Sequence, residues 1–116
     1  MDYLIILNDP PYGTERSYNG LRLAIALAKD EQTRVSVFLM GDAVSCAVAG
    51  QTTPNGYYNL ERMLKVVSSK GGKIGVCGSC MEARGLKPEA LAPGAHRSSM
   101  EELTCWTKET DKVVVF

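Results

Sequence analysis

A chain of 116 residues with 45% hydrophobic and 22% charged content is sized for one soluble globular domain around one core. Thirteen basic residues against thirteen acidic ones leave no net charge, which argues against direct nucleic-acid binding through phosphate neutralisation. The longest apolar runs, such as Tyr3 to Leu7 and Val35 to Met40, fall far short of the roughly 20 residues that span a bilayer, so no membrane span is expected. The start, MDYLII, lacks the positive segment and cleavage site of a secretory signal. That reads as a cytoplasmic location with cysteines reduced at rest.

Tyr3 to Leu7 is a continuous apolar run ending at Asn8-Asp9-Pro10-Pro11, the pattern of a strand buried on both faces and then an abrupt loop. Tyr12, Gly13 and Thr14 complete the loop. Thr14 is placed to cap a helix from about Glu15 to Lys29, with Glu15 favourable against the helix dipole and Leu21, Ala24, Ile25 and Ala28 as its core stripe. Arg34 to Met40 predicts a second buried strand, followed by Gly41-Asp42 as turn and cap and a helix over Ala43 to Ala49 that Gly50 stops. Gln51 to Tyr58 is an irregular polar loop, long enough to lie over a site. Asn59 then caps a helix from Leu60 to Lys70, with Leu60, Met63, Leu64 and Val67 on one face and Gly71-Gly72 at its end.

The stretch Lys73 to Gly85, KIGVCGSCMEARG, is where the chain commits to chemistry. Ile74 and Val76 are strand formers, Cys77 falls at the strand's carboxyl end, and Cys80 to Arg84 form a helical turn closed by Gly85. Beyond it, Pro88 and Pro93 break the periodicity, which leaves a helical turn near Pro88 to Leu91 and then loop or a short edge strand. Ser98 with Glu101, or Ser99 with Glu102, fits a capping box for a last helix at Met100 to Glu109, and Lys112 to Phe116 closes as a final strand. Strands alternating with helices predict a three-layer α/β/α fold with a mainly parallel sheet of four to five strands, one domain over 1–116. The apolar letters AVSCAVA in the Ala43 to Ala49 helix leave little charge to meet solvent. They are the basis for expecting a homo-oligomer, although burial within one chain accounts for them equally.

In a parallel sheet, ligands and reacting groups collect at the carboxyl ends of strands, and a thiol there, facing a helix start, ionises more readily. Cys77 is therefore the candidate nucleophile, with the amides of Gly78, Ser79 and Cys80 to stabilise a thiolate and Arg84 one turn beyond to add positive charge. The same residue also reads as a small apolar side chain ending a buried strand. The C-x-x-C spacing from Cys77 to Cys80 fits a redox pair as well, although the thioredoxin pattern would set the motif after an early strand. Cys80 reads either as a resolving thiol or as helix packing. Cys46 and Cys105 are isolated and His96 has no nearby ligand, so the spacing argues against zinc and implies no metal or cofactor. Cys46 and Cys105 are assigned to the core, and Trp106 to packing. Asn8, Tyr12, Gly13 and Thr14 end strand one at the same sheet edge and are pocket candidates; His96 is a candidate proton shuttle.

Three separated stretches, NDPPYGTERSYNGLRLAIAL, VCGSCMEARGL and the closing DKVVVF, arrive in the order and spacing of the DsrE/DsrF-like family of sulfur-transfer proteins, which the chain resembles nearly end to end. The resemblance implies an α/β/α fold, oligomeric assembly, and in active members a cysteine that carries sulfur as a persulfide between donor and acceptor proteins. Counting back eight positions from Gly85, as the family's motif does, reaches Cys77. Cys80 departs from the best-known relay members and points to a dithiol step. Three functions are therefore carried forward: a persulfide carrier of sulfurtransferase type on Cys77 with Cys80 assisting, a dithiol redox protein using both, and a non-catalytic oligomeric module that holds a small anion.

Overall fold

The computed structural model describes residues 1–116 in full. Five strands, β1 (Asp2–Leu7), β2 (Arg34–Leu39), β3 (Ile74–Cys77), β4 (Ala95–Ser98) and β5 (Lys112–Val115), form one sheet in the order β4-β3-β2-β1-β5. Every pairing is parallel. Four α-helices follow the strands as α1 (Arg16–Ala28), α2 (Leu60–Ser69), α3 (Gly78–Ala83) and α4 (Met100–Glu109). The α/β fold expected from alternating elements is what forms, with helices flanking the sheet.

Why both sheet faces need cover is legible in the strands. Leu4, Ile5, Leu7, Val35, Val37, Phe38, Leu39, Ile74 and Val76 are all buried, although successive side chains point to opposite faces. On one face the register aligns Ile6, Phe38, Gly75 and His96. Here α4 lies across the sheet, with Trp106 edge-on to Phe38 at 5.9 Å between ring centroids. Gly75 makes that approach feasible, because a Cβ there would sit 2.9 Å from Phe38 Cδ2 and 3.1 Å from Trp106 Cη2. The aromatic pair contributes about 1 kcal/mol beyond the area it buries. The opposite face carries Ile5, Val37 and Ile74 in register and packs against α1, with α2 alongside α1.

Several local expectations change. Helix α1 begins at Arg16 with Glu15 as its cap residue and no side-chain cap bond, and its first turn holds no acidic residue. Thr14 sits one place too early to cap it, yet its hydroxyl accepts the Arg16 amide at 3.3 Å. The segment expected as a helix over Ala43 to Ala49 is a 3₁₀ helix, Gly41–Ala47, after which Val48 pairs antiparallel with Leu91. Ala43, Val44, Cys46 and Ala47 are all fully buried within the chain itself. The apolar letters that suggested a second subunit are thus accounted for internally. The segment after Pro93 resolves into β4, an edge strand, because its backbone completes the ladder beside β3 from Ile74–Ala95 to Cys77–Ser98. Ser99 caps α4 by accepting the Glu102 amide at 3.2 Å, while the Glu102 carboxylate turns to Ser98 and His96 instead of closing a capping box.

Candidate functional site

Strand β3 passes into α3 without a connecting loop. Cys77 is both the last residue of the strand and the cap residue of the helix, with φ −55° and ψ 117°, and its Sγ accepts the Cys80 amide at 3.4 Å. The Ser79 hydroxyl lies 3.4 Å from the same sulfur. The side chain is 8% exposed. Burial works against ionisation, but hydrogen bonds from Cys80 and Ser79, through both side chains and backbone, outweigh it and hold the Cys77 thiol below its ordinary pKa.

Cys80 has the opposite balance. Its Sγ accepts the Gly41 amide at 3.2 Å, from a backbone in the left-handed region at φ +54° that favours glycine. Arg84 Nη1 donates to the Cys80 carbonyl at 3.1 Å, and its Nε to Asp42 Oδ1 at 2.9 Å. Burial and the interaction with Cys77 push the Cys80 thiol up, against the lowering effects of the Gly41 amide and Arg84. Of the two thiols, Cys77 ionises first while Cys80 keeps its proton.

Cys77 opens onto a cavity of about 230 Å³. Cys77, Gly78 and Ser79 form one side; Arg97, Ser98 and Ser99 of the β4–α4 junction form the other, and Phe38, Met40 and Met100 supply apolar surface. The pairing of Cys77 with Ser98 across β3 and β4 brings the two sides together. Glu102 braces the far side: it accepts the Ser98 hydroxyl at 2.6 Å and bonds to His96 Nε2 through the same oxygen. Burial opposes its ionisation, yet the Ser98 and His96 bonds prevail and hold the Glu102 carboxyl below its usual range. Arg97 Nη2 donates to Glu82 Oε1 at 2.5 Å. A smaller hollow of about 60 Å³, between Arg34, Lys73 and Trp106, includes none of these groups.

Of the sequence-predicted candidates, Cys77, Gly78 and Ser79 line this cavity, and Cys80 joins it through the Cys77 hydrogen bond. Asn8, Tyr12, Gly13, Thr14, Arg84 and His96 are absent from its lining. Strand order explains the first group, since β2 separates β1 from β3. Asn8 Nδ2 donates to the Phe116 carbonyl at 2.9 Å, and Tyr12 joins Gln51 and the Leu60 amide. The Gln51 to Tyr58 loop is stitched to Tyr12 and Asn59 rather than lying over Cys77. His96 is a strand residue level with Gly75, its ring against Trp106 at 6.0 Å between centroids. Cys46 is fully buried, and desolvation pushes its thiol up to about 12. Cys105 corrects its expectation: it is exposed on α4, next to the buried Trp106. The sequence marks Ser98 and Ser99 only as helix caps and Arg97 not at all, because nothing before Met100 shows which strand β4 pairs with.

A family model described as the DsrE/DsrF-like family matches residues 1–116. Protein YchN of Escherichia coli strain K12 is 37% identical over 114 residues, covering 97% of this chain and 97% of that protein. The uncharacterised protein MJ0989 of Methanocaldococcus jannaschii is 39% identical over 116 residues, with both chains covered in full. The crystal structure of the Escherichia coli YchN protein superimposes with a TM-score of 0.90 at 35% identity over 100% of both chains. A protein of unknown function from Methanobacterium thermoautotrophicum shares the fold at TM-score 0.75 and 13% identity, covering 99% of this chain and 98% of its own.

Proposed function

The chain belongs to the DsrE/DsrF-like family, and on that footing we propose that residues 1–116 act as one domain that carries sulfur as a persulfide on Cys77, with Cys80 assisting. The observation that supports this reading is the Cys77 position: a thiol held below its ordinary pKa, at a strand-to-helix junction, opening onto a cavity. The Cys77 thiolate attacks the outer sulfur of a donor persulfide, the donor's S–S bond breaks, and the donor leaves as a thiol after taking a proton. Cys80, still protonated beside it, then has two courses. It leaves the persulfide intact for an acceptor protein, or, once deprotonated, attacks Cys77, expelling hydrosulfide and forming a disulfide.

Intact-mass measurement after incubation with a small-molecule persulfide, without reductant, tests the reading. In a Cys105→Ser background, which removes the exposed thiol, the parent chain and Cys80→Ser gain one sulfur atom, Cys80→Ser holding it longer, and Cys77→Ser gains none. Loading that survives Cys77→Ser would overturn it.

A dithiol redox role is favoured by one specific observation, the opposed shifts of two adjacent hydrogen-bonded thiols. In that case both cysteine variants lose disulfide cycling equally and neither native nor variant chain retains sulfur. Homo-oligomeric assembly belongs to the same proposal. Val113 and Val115 on the α4 side of the sheet are 39% and 62% exposed, and a parallel sheet ordinarily has both faces covered. Light scattering of the native chain against Val115→Lys measures it; an equal monomer mass for both would remove this part.

A further inference from the structure

We propose that Arg97 is the specificity-determining residue of the Cys77 cavity, selecting small donors that bear an oxyanion next to the sulfur they deliver, thiosulfate being the simplest of that class. The inference rests on the reading of Cys77 as the sulfur acceptor. Among the cavity's lining residues Arg97 is the one that carries a charge, and no carboxylate lines the space with it. The remaining polar groups are the hydroxyls of Ser79, Ser98 and Ser99, which donate to an anion as readily as they accept.

The guanidinium is held in place without being used up. It crosses directly over Gly78, where a Cβ would stand 3.0 Å from Nε and 3.1 Å from Cζ, so any larger residue would displace it. Its Nη2 is tethered to Glu82, which lies outside the cavity, while Nε and Nη1 have no protein acceptor. Glu82 takes one Nη2 proton, so one paired edge of the planar group, Nη2 with either Nε or Nη1, stays free to match the paired oxygens of a sulfonate-type group. Size agrees: about 230 Å³ is roughly eight water volumes, ample for a five-atom anion and below the roughly 300 Å³ at which drug-sized sites begin.

The step balances without a further reagent. The Cys77 thiolate attacks the terminal sulfur of thiosulfate, a new S–S bond forms, the sulfur–sulfur bond of thiosulfate breaks, and sulfite departs with the electron pair. Arg97 holds the sulfite oxygens as their charge grows. Three negative charges enter and three leave, one of them now on the persulfide.

The test compares an anionic and a neutral alkylating agent, iodoacetate and iodoacetamide, at Cys77, resolved by peptide mass spectrometry. Arg97→Gln lowers the iodoacetate-to-iodoacetamide rate ratio about tenfold, the worth of one charge-assisted hydrogen bond. Glu82→Gln, which frees the guanidinium without touching the cavity wall, raises the ratio. A ratio unmoved by both variants overturns the assignment. Thiosulfate loading separates this inference from the carrier reading. If the alkylation ratio responds as stated but neither thiosulfate nor a persulfide adds sulfur to native Cys77, the anion site stands and the carrier function falls. If a persulfide loads Cys77 and the ratio does not respond, the carrier function stands and Arg97 has no selective role.

Discussion

Two strand-to-helix junctions meet solvent at the same edge of the sheet, and they use their polar residues in opposite ways. Between β1 and α1 the chain inserts a loop whose groups satisfy one another: Ser17 Oγ donates to the Asp9 carbonyl at 2.7 Å, Thr14 bonds to Asp9, and Asn8 holds Phe116. Between β3 and α3 there is no insertion, so Cys77 must serve strand and helix at once. The first junction closes on itself. The second leaves a sulfur and a cavity beside it. A richly polar loop is therefore a poorer guide to a site than a junction with no loop, where the strand's last side chain caps the helix and still opens onto a cavity.

The largest effect that would sharpen this contrast is on sulfur loading. Cys77→Ser should lower it at least about a hundredfold, whereas Asn8→Ala at the other junction should leave it within about twofold. Equal losses would erase the distinction. Next comes Gly78→Ala, whose new methyl would lie 2.8 Å from the Ser98 carbonyl. Overpacking of that kind costs about 1–3 kcal/mol, readable in urea unfolding. Gly13→Ala makes a useful counterpart, since open space surrounds that residue and only its φ of +93° resists the change.

Smaller again is Ser17→Ala, which removes a buried donor from the β1–α1 loop. About 1 kcal/mol of stability should go, with Cys77 alkylation unchanged. A matching drop in Cys77 reactivity would mean the two junctions are coupled. The least effect is on acidity. Because Cys77 ionises below the ordinary thiol range, its alkylation rate should rise at lower pH than that of a free cysteine. Ser79→Ala removes one of the bonds that stabilises the thiolate and should move the midpoint upward.

How much could be read beforehand follows the range of the interactions involved. Apolar runs and caps are local, so β1, β2 and α2 appear in the letters, down to Asn59 accepting the Arg62 amide at 3.1 Å. Cys77 was legible for the same reason: Gly, Cys and Gly around a short apolar run mark the end of a strand. The opposite wall of its cavity was not, because Ser98 meets Cys77 only through the pairing of β4 with β3. Two prolines and a weak pattern leave that segment as either loop or short edge strand, with no partner specified. His96 and Tyr12 misled in the complementary sense. Each looks like chemistry in isolation, and each is occupied by a partner on another segment, Glu102 of α4 for one and Gln51 for the other. Cys105 fell on the exposed side of α4 because adjacent helix positions point about 100° apart, so burying Trp106 turns its neighbour outward.

The unequal burial of Cys46 and Cys105 has a practical consequence. One thiol stands open to any reagent and the other is sealed in the core, on the same chain and at the same concentration. Labelling at Cys105 supplies the intrinsic chemical rate, and labelling at Cys46 proceeds only during excursions that expose the interior. Their ratio under native conditions is an opening equilibrium constant, obtained without an introduced probe. The molecule thus carries its own gauge of how often the core breathes, independent of whatever chemistry occurs at Cys77.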